Sequence, residues 1–490
     1  MAASESQQLH FILFPFMAQG HMIPMFDIAR SLAHQGVLIT IITTPINANR
    51  FRQILHRDLE SGLPINLVEL KFPAEEAGLP PDCENLDMLP SLSLALNFYS
   101  AFNLLQEPVE TLLQEMNPSP NCIISDICLP YTSRVATKLL IQRISFNGCC
   151  CFFDLCKYRV YNSGIMNSIN SETEYFSVPG LPHHIQITKQ QLPGATIPNF
   201  GTMENQMKAA EELTYGYIKN SFEELEPEYA LGCKNIRSRK VWCIGPVSLN
   251  NKHNLDLIQR GGNDKVSIQH SECLQWLDEQ QSGSVIYVCF GSICNLLTLQ
   301  LIELALGLEA SSRPFVWVLR GGGKSTELEK WIEEEGFEER MKGRSLIIRG
   351  WAPQLVILSH VAIGGFLTHC GWNSTLEAIS EGVPMITWPL FADQFFNEKL
   401  VVEVLKIGVK VGAEATVVWG EEDKIGVSVK KEDVAKAISK LMEEREEMRR
   451  RAKELSLKAK KAVKENGSSN LNLKLLIEDI KSLTLKIGLA

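Results

Sequence analysis

The segment Leu9-His10-Phe11-Ile12-Leu13-Phe14-Pro15-Phe16 is apolar almost throughout and has the length of one β-strand. A strand with one wet face alternates apolar and polar residues. A continuous apolar run instead suits a strand buried on both faces, as in a parallel sheet covered by helices. The residues that follow agree. Met17-Ala18-Gln19-Gly20-His21 is a Gly-containing turn, and Ile23, Phe26, Ile28, Ala29 and Leu32 mark an amphipathic helix that stops at Gly36. Residues 37–44 are the next β-branched strand. Strand, turn, helix and strand make a βαβ crossover, which is right-handed almost without exception. Cys122 to Asp126 reads as a third strand ending on a carboxylate, and residues 143–147 as a fourth.

The same grammar restarts after a polar, Gly/Asn-rich stretch at 249–270, which contains Arg260-Gly261-Gly262-Asn263-Asp264 and predicts an interdomain linker. Strands are predicted at 284–290, 315–319, 345–348, 364–369 and 385–388, with helices at 273–280, 299–311 and 375–381 between them. The expectation is an α/β protein of two Rossmann-like domains facing a cleft: 1–248, a linker 249–270, and 271–470. A final helix within 471–490 is expected to pack back on the body, and the Glu/Arg/Lys-rich stretch 443–465 to form a solvated helix.

The formal net charge is −9, which opposes binding of polymeric nucleic acid or anionic lipid. It does not forbid a single phosphate site built from backbone amides and neutral donors. No basic segment precedes residues 9–16 and no apolar run reaches the ~20 residues of a membrane span. Thirteen cysteines, with Cys149, Cys150 and Cys151 consecutive, read as reduced thiols in the cytoplasm rather than a disulfide framework.

Several nucleotide and metal motifs fail. Residues 318–325 end like a Walker A loop, but Val318 stands where that loop needs Gly. No Gly-x-Gly-x-x-Gly follows the first strand, which opposes a nicotinamide or flavin oxidoreductase. His-Glu-x-x-His and Asp-x-Asp are absent, so no metal is expected and a departing phosphate must be met by protein dipoles and donors.

The richest constellation is His369-Cys370-Gly371-Trp372-Asn373-Ser374-Thr375-Leu376-Glu377. A buried strand runs into His369, Gly371 lets the chain turn, and a helix starts near Asn373. Orphan amides at that helix N-terminus form an anion site, to which His369, Asn373 and Ser374 add donors without adding lysines. Read alone, the segment is equally a capped helix with a core histidine. Upstream, Trp351-Ala352-Pro353-Gln354 sets an aromatic plane and an amide at a strand exit, although a core tryptophan is the more ordinary reading of Trp351 by itself. Downstream, Asp393-Gln394 supplies two polar groups suited to hydroxyls, and Gly291-Ser292 offers another phosphate donor at a strand end.

Together, residues 351–394 resemble the signature box of the plant family 1 (secondary-product) UDP-glycosyltransferases, with Gly20-His21, Asp126 and Gly291-Ser292 in the order that family shows. One departure is Val361-Ala362, where relatives usually carry Pro-Ser; a local backbone effect is expected from it. The resemblance implies the GT-B fold and an inverting hexosyltransferase that uses a UDP-sugar as co-substrate, with no other cofactor. It implies that Trp351 stacks the uracil while the Ala352 backbone bonds its edge, and that Gln354 and Glu377 bind the ribose. His369, Asn373, Ser374 and Ser292 would hold the diphosphate, with Gly371 making the turn. Trp372, Asp393 and Gln394 would contact the sugar. His21 would be the general base and Asp126 its partner, a suitable pair because an imidazole titrates near working pH.

The resemblance also implies glucose as the donor sugar, since Gln394 is what that family shows with glucose and galactose-preferring members often carry His there. The overall sequence is similar to the subgroup acting on triterpenoids, steroids, flavonoids and hormones. Its expected acceptor is a hydrophobic hydroxylated molecule lined by Phe16 and residues 86–96, 146–153 and 175–192, and its product a β-glycoside. UDP-glucuronic acid or UDP-galactose with a saponin glycoside acceptor is the alternative within the class. A non-catalytic nucleotide-sugar-binding regulator is the alternative outside it, opposed by the intact His21 and Asp126. A monomer is the default expectation.

Overall fold

The computed structural model describes residues 8–236, 239–251, 254–260, 270–293, 296–319 and 325–487. Much of the predicted linker (261–269) and the middle of the Walker-like segment (320–324) lie outside these residues. By its contacts the chain divides into two units. The first comprises Met1–Gly148, Asn199–Asn251 and Lys461–Ala490, and the second Cys149–Pro198 and Lys252–Lys460. Segment 149–198, which precedes the linker in sequence, thus packs with the second unit.

The first unit is built on seven parallel strands: β1 (His10–Phe14), β2 (Leu38–Thr43), β3 (Ile65–Glu69), β4 (Cys122–Asp126), β5 (Gln142–Asn147), β6 (Gly216–Lys219) and β7 (Lys240–Cys243). Their spatial order is 3-2-1-4-5-6-7. All five residues of β1 and all five of β4 are buried, including the polar Ser125 and Asp126 at the end of β4. β1 lies between β2 and β4, with Phe11 opposite Cys122 and Phe14 opposite Ser125. The chain winds to one side from β1 to β3 and to the other from β4 onward. Outside the carboxyl ends of β1 and β4, where the order reverses, an open α/β sheet leaves a crevice for ligands. The helix Ser468–Ile487 docks on this unit through buried Leu476 and Ile480, with Ser469 Oγ donating to the Gly245 carbonyl at 2.5 Å.

The second unit repeats the plan with β8 (Val285–Cys289), β9 (Phe315–Leu319), β10 (Ser345–Arg349), β11 (Ile363–Thr368), β12 (Met385–Thr387) and β13 (Gly408–Lys410), all parallel and ordered 10-9-8-11-12-13. Its reversal falls between β8 and β11. The helix Arg445–Ala462 is solvated on one face only: Arg450 pairs with Glu447, while Ala452, Ala459 and Ala462 are fully buried and Ser456 Oγ donates to the Ser380 carbonyl at 2.6 Å.

Gly364 in β11 is demanded by close approach. A Cβ there would lie 2.1 Å from the Gly283 carbonyl oxygen, and backbone on both sides cannot yield cheaply. Gly364→Ala is expected to cost about 1–3 kcal/mol by overpacking, read as a lowered midpoint in thermal unfolding. An unchanged midpoint would contradict the packing described.

Candidate active site

In the first unit, β1 leads through Pro15 to Ala18 into the helix Gln19–Ala33, placing His21 in its first turn. Asp126 is the last residue of β4. The register that sets β1 beside β4 brings these side chains together: His21 Nδ1 lies 2.8 Å from Asp126 Oδ2. The other carboxylate oxygen accepts the Cys128 backbone N–H at 2.9 Å, so both oxygens of Asp126 are oriented. Asp126 is fully buried, whereas the His21 side chain is 32 % exposed. With Nδ1–H donated to the carboxylate, Nε2 is left as the acceptor that a base requires. Phe16, expected to line the acceptor site, sets its ring edge-on to His21 at 5.3 Å and is itself buried against Phe98, Tyr99 and Phe102.

In the second unit, the remaining candidate residues all follow the carboxyl ends of strands. Ser292 follows β8 through Gly291, whose φ is +74°. Trp351 and Ala352 follow β10, and Gln354 opens the helix Gln354–Ser359. β11 runs into His369, Cys370 turns with φ +65°, and Gly371 caps the helix Trp372–Glu381. No side chain caps that N-terminus, and the dipole of a helix favours an anion at such an end. Asp393 and Gln394 come after β12.

Three of the candidate side chains are already joined. Gln354 Nε2 donates to Glu377 Oε2 at 2.7 Å and to Ser374 Oγ at 3.1 Å. The opposite face of the Gln354 amide accepts the Tyr287 hydroxyl at 3.3 Å. Glu377 is buried and also ion-paired with Arg260, from just after the short helix Asn254–Gln259. A carboxylate next to an anion site thereby has its charge balanced within the protein.

His369 is held between two glycines. A Cβ at Gly371 would fall 2.4 Å from its ring and one at Gly291 2.7 Å from it, so both positions must lack side chains for the ring to stand there. Burial pulls its pKa down to about 4, against a smaller upward pull from the Cys289 carbonyl, so the imidazole is neutral near neutral pH. His369 Nδ1 has no hydrogen-bond partner among the described residues. As a phosphate ligand it would be a neutral donor, not a cation.

Asp393 and Gln394 play different structural parts. Gln394 Oε1 accepts the Leu390 and Phe391 amides at 2.9 and 3.1 Å, stapling its own loop. Asp393 Oδ2 accepts Asn397 Nδ2 at 2.9 Å, and the same Nδ2 donates to the Cys370 carbonyl at 2.9 Å. Asn397 therefore ties the Asp393 carboxylate to the turn before the helix. Trp372 keeps only 3 % of its surface exposed, so what it presents at the helix start is chiefly backbone. Sequence reasoning did not single out Asn397, Arg260 or Tyr287. Asn397 is one helical turn after Asp393, a spacing that could have revealed it. Arg260 meets Glu377 across 117 residues, for which no local signal exists.

Next to Asn397, burial lifts Glu398 from 4.5 to about 7, opposed by the Thr387 hydroxyl and by Lys410 and Lys399. The folded chain then binds the proton more tightly than the unfolded chain, and the stability from Glu398 is lost as pH rises from 4.5 through about 7. His369 acts oppositely, with stability lost as pH falls from 6.5 toward about 4. Glu398→Gln is expected to raise the thermal midpoint relative to the parent at about pH 8 and to change it little at about pH 5. An equal shift at both pH values would contradict the burial argument.

Two parallel doubly wound sheets, one with a His–carboxylate pair beyond its strand ends and the other with a helix N-terminus beyond a central strand, are a frame suited to nucleotide-dependent group transfer. Comparison with known proteins narrows it. Residues 7–249 match the family "Glycosyltransferase, N-terminal domain", and residues 252–452 match "UDP-glucoronosyl and UDP-glucosyl transferase". UDP-glycosyltransferase 73C12 of Barbarea vulgaris is 55 % identical over 485 residues, and UDP-glycosyltransferase 73C5 of Arabidopsis thaliana 55 % over 487, each alignment covering 98 % of both chains. The crystal structure of Glycyrrhiza uralensis UGT73P12 complexed with glycyrrhetinic acid 3-O-monoglucuronide superposes with a TM-score of 0.88 at 38 % identity, covering 98 % of this chain and 97 % of that one. Phytolacca americana UGT2 complexed with UDP-2fluoro-glucose and pterostilbene does so at 0.74 and 26 %, covering 96 % and 99 %. The chain belongs to the plant family 1 UDP-glycosyltransferases, and within them to the 73C type. It is a hexosyltransferase of GT-B fold. No helix among the described residues is long and apolar enough to cross a membrane.

Proposed function

We propose that the protein transfers glucose from UDP-glucose, with inversion, to a hydroxyl of a hydrophobic plant molecule of triterpenoid, steroid or flavonoid type. His21 Nε2 takes the acceptor proton as the acceptor oxygen attacks the anomeric carbon. The bond from that carbon to the UDP oxygen breaks, and Asp126 steadies the imidazolium that forms. Trp351 and Ala352 hold the uracil, Gln354 and Glu377 the ribose, and Trp372, Asp393 and Gln394 the sugar. Ser292, His369, Asn373, Ser374 and the amides after Gly371 hold the departing diphosphate, so its charge meets fixed dipoles and neutral donors.

The observation that carries this reading is the 2.8 Å His21–Asp126 contact at the strand-order reversal of the first sheet. A non-catalytic regulator would have no use for an exposed imidazole held by a fully buried carboxylate. For the donor, Gln394 and the UDP-2fluoro-glucose complex of the Phytolacca relative support glucose. For the acceptor, the monoglucuronide in the Glycyrrhiza structure favours a second reading, in which the acceptor is itself a glycoside of the saponin kind and the donor is UDP-glucuronic acid or UDP-galactose. Consecutive Cys149, Cys150 and Cys151 suit a reducing compartment such as the cytosol.

The test incubates the purified chain with UDP-glucose, UDP-glucuronic acid or UDP-galactose and a panel of phenolic, steroidal, triterpenoid and saponin acceptors, followed by mass spectrometry. A hexose adduct on hydrophobic aglycones with UDP-glucose is expected. Adducts formed only with the other donors, or only on glycosides, would favour the second reading.

A further inference from the structure

The loop that leaves β4 carries a residue the transfer chemistry does not use. Cys128 stands two positions after Asp126, and its thiol, one Asp126 oxygen and one His21 ring nitrogen all lie within 4.8 Å of one another. One thiol, one imidazole and one carboxylate make a ligand set typical of a borderline-soft divalent ion, and three protein ligands leave a fourth position open. Tetrahedral zinc holds such atoms about 3.3–3.8 Å apart, so the thiol would draw in while His21 Nδ1 and the Asp126 oxygen, now 2.8 Å apart, would open slightly around the ion. Further contacts hold the set in place. The Cys128 amide fixes one Asp126 oxygen at 2.9 Å, leaving the other facing His21. The Tyr99 hydroxyl donates to Cys128 Sγ at 3.9 Å, and the Phe16 ring closes the apolar side of His21. Cys128 is partly exposed and the His21 side chain is 32 % exposed, which gives an ion a path in.

We propose that His21, Asp126 and Cys128 form an inhibitory binding site for a zinc-type divalent cation. The bound ion takes a ring nitrogen of His21 and the carboxylate that orients it, while the thiol proton leaves to solvent. His21 can then no longer accept a proton. Every residue proposed to hold UDP belongs to the second unit, so the ion leaves nucleotide binding unchanged.

The site is tested on chelator-treated full-length protein. Cadmium is titrated while the thiolate-to-cadmium absorbance is followed, and zinc inhibition of hexose transfer is measured in parallel with UDP affinity. Cys128→Ala and Cys128→Ser are compared with the parent, since both keep the backbone amide on Asp126. The site predicts a saturable cadmium band in the parent that both variants lose. It also predicts zinc inhibition reversed by EDTA, an inhibitory zinc concentration at least tenfold higher in both variants, and UDP affinity unaltered by zinc. An equal band in parent and variants, or zinc inhibition of equal potency in both, overturns the site. The cadmium band is independent of the role given to His21: a Cys128-dependent band without inhibition upholds the site and counts against His21 as the base.

Discussion

His21→Ala is expected to lower kcat for hexose transfer by about 10²–10⁴-fold, the usual worth of a positioned general base, while UDP affinity stays within about twofold. The two readouts separate because His21 sits after β1, whereas the proposed nucleotide ligands follow β8, β10, β11 and β12. The helix Gln19–Ala33 is not held by His21: its other inward residues, Met22, Met25, Ile28, Ala29 and Leu32, are fully buried. The variant is therefore expected to fold. Asp126→Asn should reproduce part of the loss, because an amide can present N–H to Nδ1 and reverse the tautomer that leaves Nε2 as acceptor. Calorimetric titration with UDP and initial rates with saturating donor measure the two effects. Near-parental turnover in His21→Ala would remove His21 from the reaction.

The second large effect is expected at Glu377. Hydrogen bonds to a charged acceptor contribute about 1.5–3 kcal/mol, so loss of the carboxylate proposed to hold the ribose in Glu377→Ala should raise the donor KM by about 10–150-fold with kcat changed much less. Glu377→Gln, which keeps an acceptor oxygen, should recover part of the affinity. The carboxylate is also the partner of Arg260 and of Gln354 Nε2, so thermal unfolding must accompany the kinetics. A KM effect exceeding any loss of stability assigns Glu377 to the donor; equal losses of kcat and KM with a lowered midpoint would make it structural.

How far the sequence discloses this architecture depends on where burial is one-sided. Strands β1, β2, β8, β9 and β11 are buried over nearly their whole length and stand out as apolar runs, as does β4 over Cys122 to Ile124. Other strands lack such a run. β3 lies at a sheet edge with only Ile65 fully buried, β6 carries the buried Lys219 in a strand of four, and β13 has three residues. Nor does any local pattern attach segment 149–198 to the second unit. That attachment is tertiary, exemplified by the Cys150 thiol donating to Asn397 at 3.4 Å and the Thr196 hydroxyl accepting the Ala392 amide at 3.1 Å.

The same contrast holds at the site. The residues proposed to hold the donor are legible because, Ser292 apart, they lie within one contiguous box that follows strand ends, and the helix begins at Trp372, one residue before the position read from the pattern. His21 and Asp126 are 105 residues apart, yet both end up beside the carboxyl ends of adjacent strands. Arg260, Tyr287 and Cys128 are reached only through three-dimensional proximity, which a single sequence does not encode in spacing.

The stereochemistry of the product tests the central claim most directly. A base that activates the acceptor for one displacement at the anomeric carbon must invert it. The proton NMR spectrum of the purified product, made from α-linked UDP-glucose, should therefore show the large anomeric coupling of a β-glucoside. The small coupling of an α-glucoside would mean retention and contradict the single displacement assigned to His21 and Asp126.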